Sequence, residues 1–335
     1  MLRILLTLLI ALLGACSSSS RTFDLLITNG TIYDGNGGEP FQADIAVVND
    51  RIVAIGALNG LAKQTIDAAG YAVAPGFINM LSWATESLAI DGRSQSDIRQ
   101  GVTLEVFGEG NSEGPINETM RQDIIDSGGF GGADVSWTTL DEYLQFLIDR
   151  GISTNIASFI GATTVRKHEI GYENRAPTAG ELGRMQKLVR QAMEDGALGL
   201  GSSLIYAPAF YAKTEELIAL AKVVGEYDGM YISHLRSEGN RLLEAIDELI
   251  RIAREGDVAA EIYHLKMAGT QNWHKFDEAV ARVEAARAGG LQITADMYTY
   301  TAGSTGLDAA MPPWVQEGGY AAWRERLLDP ELRAR

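Results

Sequence analysis

Between residues 140 and 290, apolar positions recur every third or fourth residue in five stretches: LDEYLQFLIDRG (140–151), ELGRMQKLVRQAMEDG (181–196), TEELIALAKVVGEYDG (214–229), NRLLEAIDELIRIAREG (240–256) and FDEAVARVEAARAGG (276–290). Each closes on glycine, and the spacing predicts amphipathic helices. Around them run shorter, nearly continuous apolar segments: AVAPGFINML (72–81), TLEVFGEG (103–110), STNIASFIG (153–161), ALGLGSSLIY (197–206), GMYISHLR (229–236), AAEIYHLK (259–266) and LQITADMYTY (291–300). Such runs suit strands buried on both faces, and their alternation with helices predicts a parallel sheet. Seven units can be counted where a closed (β/α)8 TIM barrel needs eight. The expected fold is therefore α/β: an incomplete barrel over residues 73–335, cut short before its eighth strand, with unpaired first and seventh strands. An open doubly wound sheet is the alternative, less favoured because polar residues gather at strand ends all round.

Before residue 73 the rhythm is β-like. DLLITNGTIYDG (24–35) and ADIAVVNDRIVAIG (43–56) carry Asn-Gly, Asp-Gly and Asn-Asp pairs between alternating apolar residues, which predicts a small meandering sheet over 21–72 with turns at those pairs. The first twenty residues, MLRILLTLLIALLGACSSSS, read as an export signal followed by a serine tether. Their apolar run is shorter than the roughly 20 residues a spanning helix needs. Leu13-Gly14-Ala15-Cys16 resembles a bacterial lipobox, and Cys16 is the only cysteine of the chain. The expectation is a lipoprotein on the periplasmic side of the envelope or the cell surface, touching membrane through its acylated Cys16 alone; an ordinary secretory signal is the alternative. A net charge of −16 over 335 residues argues against nucleic acid as a partner.

Of four histidines, two stand at matched places in similar segments, His234 in YISHLR and His264 in EIYHLK. In a barrel, residues at the C-terminal ends of neighbouring strands converge on one mouth. There two imidazoles can share a metal ion, with Glu109 of FGEG as a third ligand and a coordination position left for water. Satisfied core histidines and a solvated loop carboxylate are the alternatives, and spacing alone leaves both open.

The segments YISHLRSEG, EIYHLKMAG, GALGLGSSLIYAP, ADMYTYTAGST and PPW (312–314), with DLLITNGTIYDG and VAPGFI near the start, resemble the D-aminoacylase (N-acyl-D-amino-acid deacylase) branch of the amidohydrolase superfamily. The resemblance implies a distorted barrel with a small β-sandwich, and zinc-dependent hydrolysis of small N-acyl-D-amino acids. It makes His234 and His264 zinc ligands and puts Glu109 where the family has a bridging cysteine. It gives Lys266, Tyr206, Tyr298 and Ser304 contacts to the substrate's carboxylate or acyl group, Lys266 sharing a strand face with His264. The family's His-x-His pair is replaced by Met80, Leu81 and Ser82, which leaves one zinc ion rather than two. In the expected loop GATTVRKH, Ala162 stands where relatives tend to have histidine; His168 further along, and His274, read as solvated. The family's catalytic aspartate belongs to the missing eighth strand. Asp296, placed in strand seven, is the substitute base or a partner orienting a metal-bound histidine. Another cyclic-amide or dipeptide hydrolase, or a lipid-anchored binding protein that has lost the chemistry, are the competing functions.

Overall fold

Residues 22–335 are described by the computed structural model, so Cys16 and the export signal lie outside the described residues. The chain divides after Gly76 into two units.

The first unit holds strands β1 (Thr22–Ile32), β2 (Phe41–Val48), β3 (Arg51–Gly56), β4 (Leu61–Asp67) and β5 (Ala72–Val73). Their order is β3-β2-β1-β4, with β5 also on β1. The β1–β2 and β2–β3 pairs are antiparallel while β4 and β5 run parallel to β1, so the sheet is mixed and not the expected meander. Asn49-Asp50 makes the expected turn, with Asn49 at φ 53° and its N–H donated to Asp24 at 2.6 Å. Asn29-Gly30 does not. It is a bulge inside β1, where the register with β2 shifts and Asn29 takes φ 60°. A Cβ on Gly30 would lie 2.7 Å from Val73, so only glycine lets β5 approach there. Phe23, Leu26 and Ala46 form this unit's core.

The second unit is α/β with parallel pairing throughout. Strands β6 (Phe77–Asn79), β7 (Val102–Phe107) and β8 (Asn155–Ser158) form one sheet. Strands β9 (Ile160–Gly161), β10 (Gly199–Ser203), β11 (Met230–His234), β12 (Ala259–Ile262) and β13 (Ile293–Ala295) form the other. The apolar run 153–161 serves both: β8 pairs with β7, β9 with β10, and between them Phe159 N–H donates to Phe107 O at 2.9 Å. The run 72–81 is not one strand. Ala72–Val73 pairs with β1 and Phe77–Asn79 with β7, because Pro75 between them has no N–H for a ladder.

The five predicted helices form at Leu140–Arg150, Ala179–Glu194, Thr214–Gly225, Leu242–Gly256 and Phe276–Ala288. Capping boxes open the first two, Thr139 with Glu142 and Thr178 with Glu181. Leu147, Met185, Val189, Leu220, Ile246 and Ile252 carry their apolar faces into the main core around β10 to β12. GATTVRKH is not a loop. Residues Ala162–Ile170 are helical, and its buried face includes Arg166, whose guanidinium donates to Glu216 at 2.6 Å and to the carbonyls of Glu173 and Arg175. A fully buried arginine on that face disguised the apolar period. Two strands also end early. Strand β12 stops at Ile262 and β13 at Ala295, so His264, Lys266, Asp296 and Tyr298 stand on the connections beyond them, and no common strand face relates Lys266 to His264.

Candidate metal centre

Glu109 follows β7 between Gly108 at φ 109° and Gly110 at φ 75°, backbone angles that favour glycine. A Cβ on Gly108 would meet Phe159 O at 2.4 Å and one on Gly110 would meet Ser203 at 2.6 Å. The two glycines thus let the chain pass between neighbouring strands and turn the intervening carboxylate inward. His234 closes β11 and His264 lies just past β12, on adjacent parallel strands. All three side chains are buried.

Glu109 Oε1 lies 3.0 Å from His234 Nδ1 and 3.0 Å from His264 Nε2. The imidazole rings stand edge to face, with centroids 4.6 Å apart. One donor atom from each of the three residues lies within 4.8 Å of the others. Three donors of one tetrahedral zinc ion, each held at 2.0–2.2 Å, stand about 3.3 Å apart, so this spacing needs little adjustment. His234 Nε2, the ring nitrogen turned away from Glu109, is buried without a hydrogen-bond partner. The two-nitrogen, one-carboxylate donor set therefore fits zinc. Burial would raise the Glu109 carboxyl, but hydrogen bonds and charge from His234 and His264 outweigh it and hold the group at about 2. At His264 burial works against protonation, and Glu109 and Glu238 overcome it, raising the imidazole to about 9.

Two neighbours that sequence reasoning missed complete the site. Trp83 donates its indole N–H to Glu109 Oε2 at 3.0 Å. Glu238 Oε1 lies 3.0 Å from His264 Nδ1 and its Oε2 lies 3.8 Å from His234 Nε2. Glu238 belongs to the motif SHLRSEG, four residues beyond His234, and that short separation was its available signal; Trp83 adjoins the altered segment 80–82.

The expected substrate residues surround a cavity of about 980 Å³ whose lining includes Glu109, His234, His264, Lys266, Tyr206, Tyr298 and Ser304. Tyr206 OH lies 2.5 Å from Thr305 Oγ1, and its ring meets His234 edge to face at 5.6 Å. Lys266 Nζ reaches Glu238 Oε1 at 2.6 Å, His264 Nδ1 at 2.9 Å and His264 O at 3.0 Å, and sits 5.5 Å from the Tyr298 ring centre. Asp296 Oδ1 accepts the His264 backbone N–H at 2.5 Å, while its Oδ2 is buried and unpartnered.

Met80 and Leu81 pack against Val106, Phe159, Ile232 and Tyr263, and Ser82 donates to buried Glu105 at 2.7 Å, so this segment offers the trio no ligand. Ala162 is buried at the start of its helix. His168 pairs with Glu169 at 3.1 Å on that helix, and His274 is exposed; neither belongs to the cluster of three.

No family model matches the chain. A D-aminoacylase of Alcaligenes xylosoxydans xylosoxydans is 36% identical over 295 residues, covering 87% of this chain and 60% of the relative. A solved D-aminoacylase, studied for its binuclear metal centre with one-metal activation and second-metal attenuation, matches at 34% identity and TM-score 0.76 over 84% of this chain and 59% of its own. An N-acyl-D-glutamate deacylase from Bordetella bronchiseptica, solved with zinc and a phosphonate mimic of the tetrahedral intermediate, matches at 30% identity and TM-score 0.75, with the same 84% and 59% coverage. The chain thus spans about three fifths of the length of these relatives.

Proposed function

We propose that this chain, similar over most of its length to D-aminoacylase and N-acyl-D-glutamate deacylase, is an amidohydrolase that hydrolyses N-acyl-D-amino acids to a carboxylate and a D-amino acid. The observation that carries the reading is the buried trio Glu109, His234 and His264 lining a cavity of about 980 Å³. Pockets of roughly 300–1,000 Å³ suit small ligands.

We assign one zinc ion to the trio. Such an ion supplies a Lewis acid and lowers the pKa of bound water toward about 7. Two features support one ion over two: the Trp83 indole occupies the second Glu109 oxygen, and Met80, Leu81 and Ser82 provide no further ligand. In the D-aminoacylase relative one metal activates and the second attenuates, which accords with turnover from a single ion.

Around the trio, Glu238 orients His264 through Nδ1, and Lys266 holds Glu238 in place. Asp296 fixes the His264 backbone through Oδ1, and we assign its unpartnered Oδ2 as proton acceptor in the reaction. Tyr206, Tyr298 and Ser304 contact the substrate from the cavity wall. We read the parallel strands β6 to β13 as those of a (β/α)8-type barrel, the N-terminal sheet as part of a small sandwich, and Cys16 as the acylated anchor of an exported lipoprotein.

The test is zinc content by elemental analysis together with assay of N-acetyl-D-amino acids and their L-enantiomers. One zinc per chain and D-selective hydrolysis are expected. A protein that takes up no metal and cleaves neither enantiomer rejects the reading. Stabilisation by N-acyl-D-amino acids without turnover would mark a binding protein instead.

A further inference from the structure

The Trp83 side chain lies open on the cavity wall, 63% exposed, yet its segment is tied down. Ser82 N–H donates to Val106 O at 2.8 Å, and Ser82 Oγ donates to Glu105 Oε2 at 2.7 Å. Ser82 Oγ also accepts the Ala84 N–H at 3.2 Å, so the backbone is gripped on both sides of Trp83. Glu105 is fully buried, and hydroxyls rather than a cation serve its carboxylate: Ser82, Ser94 and Thr154, at 2.7 to 3.1 Å. Such an anchor is costly to disturb, because removing one donor leaves a buried oxygen short of a partner. The last attachment is the indole itself, whose N–H reaches Glu109 Oε2 at 3.0 Å. Glu105 and Val106 lie in β7 and Glu109 two residues past its end, so one strand sets the indole against the carboxylate.

The two oxygens of Glu109 therefore have different neighbours. Oε1 lies 3.0 Å from each of two imidazoles, while Oε2 faces the indole. An indole N–H is a donor only, able to hold a carboxylate oxygen but unable to ligate a cation. A carboxylate free at both oxygens can place both on one ion, filling the position that a catalytic zinc site keeps for water, or reach toward a second ion.

We propose that Trp83 is a positioning residue for the metal centre: its indole N–H confines Glu109 to one ligating oxygen and so keeps the water position of a single ion open. The proposal rests on the one-zinc reading above.

Trp83→Phe removes the N–H and keeps a ring at the cavity wall, and three readouts on the full chain follow its effect. In metal-free protein labelled at the indole nitrogens, the Nε1–H resonance missing from Trp83→Phe belongs to Trp83. Glu109→Ala should move it further than the resonances of the other four tryptophans. With cobalt(II) in place of zinc, wild type should hold one ion with the intense visible absorption of four-coordination. In Trp83→Phe that absorption should fall severalfold as Oε2 joins the ion, or a second equivalent should bind. Ser82→Ala, which leaves the indole but loosens its segment, should give the same change in smaller measure. With zinc and N-acetyl-D-leucine, Trp83→Phe should lower kcat about ten- to a hundredfold at unchanged KM. An indole resonance indifferent to Glu109→Ala, or a cobalt spectrum and stoichiometry that Trp83→Phe leaves unchanged, overturns the proposal while the one-zinc reading stands. A higher KM with kcat and spectrum unchanged also overturns it, making the ring a substrate contact. A wild type that binds no metal, although its indole resonance responds to Glu109→Ala, removes the one-zinc reading and this role together.

Discussion

His264 adopts φ 40°, a left-handed backbone that costs a β-carbon residue on the order of 1–3 kcal/mol. It is held there from both sides of its peptide: Asp296 accepts its N–H at 2.5 Å and Lys266 donates to its carbonyl at 3.0 Å. Asp296→Ala should therefore weaken zinc binding about ten- to a hundredfold, measured by competition with a chromophoric chelator. Asp296→Asn keeps an acceptor for that N–H and should retain the metal, but it removes the basic oxygen and should lower kcat a hundredfold or more, in the range of lost general-base catalysis. Equal zinc loss in both variants would reduce the residue to a structural role. Glu109→Ala should leave two imidazoles alone and bring zinc content close to zero after gel filtration. Sequence exposed His234 and His264 because histidine is scarce and the two lie in similar contexts, and Glu109 as the acid at the end of its predicted strand. It did not expose Trp83 and Glu238, whose roles are defined by which oxygen or nitrogen they face, a property of coordinates.

Among the elements, capping is the most local feature and the easiest to read. Thr178 and Glu181 close a reciprocal box at the start of the helix Ala179–Glu194. Thr178→Ala should cost about 1 kcal/mol, read from urea denaturation. Glycine contacts between strands act at longer range. A Cβ on Gly201 of β10 would lie 1.9 Å from Gly108 O, immediately before the metal-ligand candidate Glu109. Gly201→Ala should thus cost about 1–3 kcal/mol or more by overpacking and also displace Glu109, so that any folded fraction binds zinc poorly. A folded variant with wild-type zinc affinity would show that β10 does not set the position of β7. The misread elements have common causes. Asn29-Gly30 has turn chemistry but serves as a bulge, the Pro75 break falls within one apolar run, and buried Arg166 hides a helical face. In the first and third a contact distant in sequence overrides the local pattern, and in the second the proline itself interrupts the ladder.

Across the second unit, the three candidate ligands come from the loop after β7, the end of β11 and the connection after β12. An ion held by all three would link segments separated by 125 and 155 residues, the Glu109–His234 and Glu109–His264 spans, and so stabilise the folded chain by linkage. At a free zinc concentration a hundred times Kd, the gain is about 2.7 kcal/mol. Chelation should lower Tm by a corresponding amount in calorimetry, and zinc should restore it. A Tm indifferent to chelator would mean that the trio holds no ion in the native protein.

By itself the sequence determined the alternation of strand and helix, the five amphipathic helices, and the candidacy of His234, His264 and Glu109, because periodicity, the scarcity of histidine and a place at a strand end are properties of a linear text. Only the tertiary structure decided that these three side chains meet and that Trp83 and Glu238 hold them. Those outcomes depend on distances of about 3 Å between residues far apart in the chain, set by strand register and by the glycines that let strands approach.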